Sequence, residues 1–281
     1  GSFTPDKIDY SVITHVIHSF AWPDEEGNVL HYNNMLSQSV NNTVHDNGAK
    51  ILLCFGGWGQ SWGFSGSTST PELREIFIDN IISICENYNY DGVDIDWEQP
   101  SNATEKNNLT SFITELRQSF NDLYPDWLIS MAVPVSNWSG QYYDFNQLKQ
   151  SVDFFNAMTY DIHGSWTNHA GHNSPLYQSP PGDPDGSVNT GINYLVNTSG
   201  IGSQKVNVGI PFYGKEYNTS DINQPFTGDA VARLYNEYHG LINNGWNYIW
   251  DSNGQVPYLQ NTNQNKIITI DDSLSVSIKS G

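Results

Sequence analysis

Apolar, β-rich runs alternate with helical spacing along most of the chain. ITHVIHSFAW (13–22), KILLCFGG (50–57), GVDIDWE (92–98), WLISMAVPV (127–135), DFFNAMTYD (153–161) and KVNVGIPFYG (205–214) read as strands. After the second of these, Thr70 can cap a helix, Pro71 suits its first position and Glu72 faces its positive end. Leu73, Ile76, Phe77, Ile81, Ile84 and Cys85 then recur at helical spacing and predict one buried face. A second helix should bury Leu109, Phe112, Ile113, Leu116 and Phe120.

Strand followed by helix, repeated, predicts an α/β domain built on a parallel sheet. Two architectures compete, a doubly wound open sheet and a (β/α)8 TIM barrel. Polar and aromatic residues stand near the C-terminal ends of many strands: Trp58, Glu98, Tyr160, Asp161 and Tyr213. A barrel gathers all its strand ends at one mouth, whereas an open sheet uses chiefly those at its switch point. No Gly-rich phosphate loop follows the first strand. The barrel is the expectation.

Within GVDIDWE, side chains two apart point the same way. Asp94, Asp96 and Glu98 therefore share one face, and Val93, Ile95 and Trp97 the other. Helices cover the outside of a barrel, so the acids must point inward. Carboxylates this crowded cannot all ionise cheaply, so one must hold a proton near neutral pH. A protonated carboxyl is what a general acid requires. Glu98, last on the strand, is the natural donor, with Asp94 deepest and holding Asp96 in place.

Composition narrows the partners. The 281 residues carry a net charge of −19, which repels nucleic acid and anionic membranes. No apolar run is long enough to span a bilayer. Two cysteines, Cys54 and Cys85, do not make a disulfide framework; one faces inward and the other lies on a helix, so both should be free thiols. Asn-x-Ser/Thr sites begin at Asn41, Asn102, Asn108, Asn137, Asn197 and Asn218, about as many as chance gives in so Asn-rich a chain. His163, His169 and His172 are close in sequence, but their spacing fits no common zinc motif, so they read as loop residues. No metal and no cofactor is expected.

DGVDIDWE resembles the acid strand of the family 18 glycoside hydrolases, the chitinase family, with its D-x-x-D-x-D-x-E pattern. LLCFGGWG is similar to the family's third-strand motif, with Cys54 where Ser is usual. AMTYDIHG (157–164) resembles its sixth strand, GIPFYGK (209–215) its seventh with Lys215 in place of Arg, ITHVIHSFA its second, and ITIDDSLSVSIK (268–279) the approach to its eighth. The likeness runs in order along nearly the whole chain.

The resemblance implies hydrolysis of β-1,4 bonds in chitin or chitooligosaccharides, with retention and with help from the substrate. Glu98 would protonate the leaving oxygen and later activate water. The substrate's acetamido oxygen would be the nucleophile, oriented by Asp96 and hydrogen-bonded by Tyr160. Asp161 is the alternative nucleophile, or a ligand for a sugar hydroxyl. Trp58, Trp62 and Trp166 could stack on sugar rings, while Phe20, Met158 and Tyr213 would line the pocket floor. It further implies a secreted, monomeric enzyme. Two other functions stay open: a chitin-binding lectin, and an endo-N-acetylglucosaminidase acting on N-glycans.

Residues 1–281 read as one catalytic domain. Counterparts of the family's first and eighth strands are not found in it, so the protein is expected to continue at both ends. Residues 217–267 read as a short insertion before the eighth strand.

Overall fold

The computed structural model describes residues 4–280. The chain divides into two compact units. The first comprises residues up to Val133 with Asn137–Asn156 and Ser199–Lys205, and the second comprises Pro134–Ser136, Ala157–Thr198 and the residues from Val206 onward. No helix among the described residues is long and apolar enough to cross a membrane.

The first unit is a sheet clad in helices. Its strands are β1 (His15–Pro23), β2 (Val29–His31), β3 (Lys50–Gly56), β4 (Gly92–Asp96), β5 (Leu128–Val133) and β6 (Phe154–Ala157). They lie in the order β2-β1-β3-β4-β5-β6. β1, β3, β4 and β5 pair in parallel, and β2 folds back on β1 as an antiparallel edge. The parallel α/β arrangement expected from the alternation is present. The described residues do not form a closed eight-stranded barrel, for which the parallel strands here are too few.

Thr70 caps the helix Pro71–Tyr88 by accepting from the Leu73 N–H, as its sequence predicts. The helix ends at Asn89, which adopts the left-handed conformation that Asn tolerates. Its buried face differs in part from the expected one. Phe77, Ile81 and Cys85 are buried, but Ile76 is exposed, and Ile78 and Ile82 are buried instead. The face is rotated by the packing of Phe77 between Phe55, Phe64 and Phe112. Helix Ala103–Leu123 buries all five residues its periodicity selects. Arg74 of the first helix donates twice to Glu115 of the second, at 2.7 Å each. A bidentate pair of this kind fixes the relative roll of two helices as well as their distance.

The second unit contains β7 (Val206–Val208) and a five-stranded antiparallel sheet. That sheet consists of β8 (Tyr213–Asn218), β9 (Thr227–Leu234), β10 (Asn247–Asp251), β11 (Val256–Asn261) and β12 (Lys266–Thr269), in the order β10-β11-β12-β8-β9. The apolar stretch 205–214 is therefore two strands rather than one. Pro211 has no N–H to give a ladder, and Gly209 and Ile210 already lie outside β7. Residues 217–267 lie within this antiparallel sheet, which begins at Tyr213. Residues 158–187 contain neither helix nor strand.

Candidate active site

In the first unit the strand that carries the acids ends at Asp96, two residues short of the expected run. Asp94 and Asp96 are buried in β4, and Glu98 stands half-buried just beyond its end. Register pairs Cys54 and Gly56 of β3 with Asp94 and Asp96. It also pairs Ser130 of β5 with Asp94.

Asp94 is surrounded by donors. Ser130 Oγ and Asn156 Nδ2 donate to its Oδ1, the latter at 2.9 Å, and Cys54 Sγ donates to Oδ2 at 3.2 Å. Burial pushes this carboxyl up, and the three hydrogen bonds only partly offset the shift. Asp96 lacks such support. Its Oδ1 is buried with no hydrogen-bond partner among the described residues. Burial, then the charges of Glu98 and Asp94, push Asp96 up to about 8. Burial and crowding thus favour a proton on the middle acid as well as on the donor that the mechanism requires.

The end of the acid strand is tied on both sides. Ser61 Oγ accepts the Glu98 backbone N–H at 2.9 Å and is itself 3.2 Å from the carbonyls of Gly57 and Asp96. Tyr143 donates its hydroxyl to the Trp97 carbonyl at 2.8 Å. The Trp97 ring stacks on Phe64, 5.1 Å between centroids. Glu98 thus leaves a backbone that is held still. A recess of about 230 Å³ opens beside it, lined by Trp62, Trp97, Gln99, Ser101 and Glu105 among others. Trp62 is half-exposed on its wall, and Trp58 projects into solvent at 85% exposure. Phe20 packs against Gly57, where an added Cβ would lie 2.7 Å from its ring.

The other expected residues gather in the second unit. Asp161 is exposed, in a left-handed conformation with φ 54°. Its Oδ2 accepts the Tyr213 hydroxyl at 2.8 Å, and its Oδ1 lies 2.7 Å from Lys215 Nζ. Lys215 sits 5.4 Å from the Trp166 ring centroid and 5.6 Å from that of Tyr213, a cation over two aromatic faces. The Tyr160 and Tyr213 rings meet edge to face at 6.3 Å. Tyr160 packs over Gly209, where a Cβ would sit 2.7 Å from it. Met158 is half-buried beside this cluster in sequence. With both its oxygens engaged, Asp161 is held in place, which counts against its use as a nucleophile. The motifs AMTYDIHG and GIPFYGK therefore meet through Tyr160, Asp161, Tyr213 and Lys215.

Sequence reasoning did not select Ser61, Ser130, Tyr143 or Asn156. Two of these carried a signal. Ser130 and Asn156 are lone polar residues inside the apolar strands LISMAV and FFNA, and a polar side chain there needs a buried partner. Cys54 and Cys85 are both buried and unbonded to each other. The histidines lie in irregular structure, as their spacing suggested, but each is paired with an acid. His163 and His169 converge on Asp183, and His172 pairs with Asp251 at 2.9 Å.

The chain is similar to known proteins along nearly its whole length. The profile of Glycosyl hydrolases family 18 matches residues 2–280. The chain is 32% identical over 303 residues to a probable endochitinase of Caenorhabditis elegans, covering 94% of this chain and 48% of that protein. It thus spans about half the length of that relative. Among solved structures, it is 27% identical to the Group IV chitinase of Ostrinia furnacalis in complex with allosamidin. That match has a TM-score of 0.90 and covers 99% of this chain and 83% of the other. Catalytic domain 2 of the Group II chitinase of Ostrinia furnacalis, a mutant in complex with penta-N-acetylchitooctaose, (NAG)5, is also 27% identical. There the TM-score is 0.89, over 99% of this chain and 81% of that one. These neighbours carry a TIM-barrel-like α/β fold.

Proposed function

The chain belongs to the Glycosyl hydrolases family 18, and from that premise we propose that it hydrolyses β-1,4-linked N-acetylglucosamine polymers with retention. The observation that supports this most is the Asp94–Asp96–Glu98 series, with Asp96 pushed up to about 8. A neutral Asp96 can donate a hydrogen bond through its O–H and still accept one at its other oxygen, whereas a charged one could only accept.

The reaction begins with Glu98 giving its proton to the oxygen of the leaving sugar. The acetamido carbonyl oxygen of the sugar on the other side of the bond attacks the anomeric carbon, and the glycosidic bond breaks. Positive charge then lies on an oxazolinium ring. Asp96 accepts the acetamido N–H at a carboxyl oxygen and faces that charge, which the dipole of its carboxyl stabilises as the ring forms. Asp94, saturated by Ser130, Asn156 and Cys54, keeps Asp96 in place. Glu98, now a carboxylate, takes a proton from water, which opens the ring from the face the leaving group vacated. Two inversions at one carbon give retention. Tyr160 is assigned from the resemblance alone, as a donor to the same acetamido group. Trp58, Trp62 and Trp166 offer apolar faces for sugar rings. The protein works outside the cell.

Incubation with N-acetylglucosamine oligomers and, separately, with a glycoprotein tests the substrate. Cleavage of the oligomers with the β-anomer released first supports the proposal. Release of N-glycans without oligomer cleavage would replace it.

A further inference from the structure

We propose that His163, His169, Asp183 and Asp185 form a structural binding site for a divalent transition-metal ion, best suited to Zn²⁺. The four side chains each offer one ligand atom, all within 4.8 Å of one another. His163 Nε2 lies 3.0 Å from Asp183 Oδ2 and 3.6 Å from Asp185 Oδ2, and His169 Nε2 lies 3.2 Å from Asp183 Oδ2. A tetrahedral ion bound to N and O atoms at its usual distances spaces its ligands about 3.4 Å apart. These three pairs bracket that spacing, and the widest separation in the cluster, up to 4.8 Å, would shorten around an ion.

Hydrogen bonding supplies a second, independent argument. His163 Nδ1 is 2.8 Å from the backbone carbonyl of His172, which can only accept, so Nδ1 carries the proton. His169 Nδ1 likewise faces the Asn168 side-chain oxygen at 2.9 Å. In the neutral rings both Nε2 atoms are then lone pairs, and both point at one carboxylate oxygen. Three acceptors converging on one spot repel unless something positive lies among them. A ring whose Nδ1–H is engaged by a carbonyl and whose Nε2 is presented outward is the arrangement of metal-binding histidine. Asp183 is oriented in the same manner, because its Oδ1 accepts the Asp185 N–H at 3.0 Å and Oδ2 is left for the ion.

The site is built rather than incidental. The side chains of His163 and Asp183 are fully buried. Gly171 makes room for the imidazole, since a Cβ there would lie 2.1 Å from the His163 ring. His169 and Asp185 are partly exposed and leave an entry path. Two imidazoles with two carboxylates favour zinc over calcium or magnesium, which prefer all-oxygen sites. Two carboxylates also neutralise the ion's charge. Four protein ligands leave no open position, so the role is structural. The ion would join the two ends of the segment 158–187, which has no helix or strand to hold it and which carries Asp161 and Trp166. The proposal is independent of the glycosidase reading.

The test is metal content and calorimetric titration of the protein, stripped with chelator and then given ZnCl₂, with CaCl₂ and MgCl₂ as controls. One equivalent of Zn²⁺ per chain should bind and raise the melting temperature, while the controls do neither. His169→Ala and Asp185→Asn, at the exposed edge where folding should survive, should each weaken Zn²⁺ binding tenfold or more, with circular dichroism confirming the fold. Absence of stoichiometric zinc uptake by the unaltered protein would overturn the proposal. So would uptake that is equal in both variants, because the ion would then be on surface carboxylates.

Discussion

Gly56 lies directly beside Asp96 in the β3–β4 register, and a Cβ added to it would stand 2.1 Å from the Asp96 carbonyl oxygen. Gly56 also has φ 112°, a conformation that L side chains avoid. The close approach lets the Gly57 N–H bond the Asp96 carbonyl at 2.8 Å, so the glycine pair helps fix where the acid strand ends.

Gly56→Ala must therefore push the two strands apart as well as strain its own backbone. A loss of about 2–4 kcal/mol in stability is expected. Turnover should fall further than the unfolded fraction explains, because Asp96 and Glu98 move with the strand. Urea unfolding read beside kcat on chitin oligomers separates the two effects. An alanine variant of unchanged stability would remove Gly56 from this role.

Glu98→Gln keeps the shape of the side chain and removes its proton. Hydrolysis should drop by about 10²–10⁴, the usual contribution of a general acid. Oligomer affinity by calorimetry should stay close to that of the unaltered protein. Retention of more than half the turnover would falsify the assignment of Glu98.

The acid face was legible because it follows from strand geometry alone. Asp94 and Asp96 share a face in any strand, whatever surrounds it, and Glu98 follows two residues on, just past the strand's end. How far Asp94 and Asp96 are pushed toward the protonated form was not legible, since that depends on burial and on donors from β3, β5 and β6. Ser130, Asn156 and Cys54 serve Asp94 and leave Asp96 without similar support. The single strand expected over 205–214 failed for a local reason: its apolar run is continuous, but Pro211 interrupts the ladder. The His163–Asp183 pair joins residues 20 apart in a segment without regular structure, and no periodicity reaches across such a gap.

Asp96 should make stability fall as pH rises. Its folded value, about 8, lies above the unfolded value of 3.8, so the folded state binds more protons between these limits. Its stabilising contribution is complete below about pH 4, declines through the interval and is lost above about pH 8. At about 1.4 kcal/mol per unit the effect is on the order of 3–6 kcal/mol. Asp96→Asn cannot ionise, so it should flatten this slope and be the more stable protein at pH 8, while losing activity. Urea midpoints of both proteins at pH 4.5 and pH 8 provide the measurement. Parallel pH dependences would mean that Asp96 is ionised in the fold.

Cys54 and Cys85 are both buried, and burial pushes both thiols up, with Asp94 adding to the shift at Cys54. A thiol without thiolate character reacts slowly. Thiol reagent should therefore find two groups in denaturant without reductant, and none in the folded protein. Cys54 also donates to Asp94, so its replacements should separate by hydrogen bonding rather than size. Cys54→Ser keeps a donor and should preserve activity and stability. Cys54→Val leaves a buried carboxylate oxygen short of a partner and should cost about 1–3 kcal/mol, with Asp94 pushed higher and turnover reduced. Equal behaviour of the two variants would show that the thiol only fills space beside the acid strand.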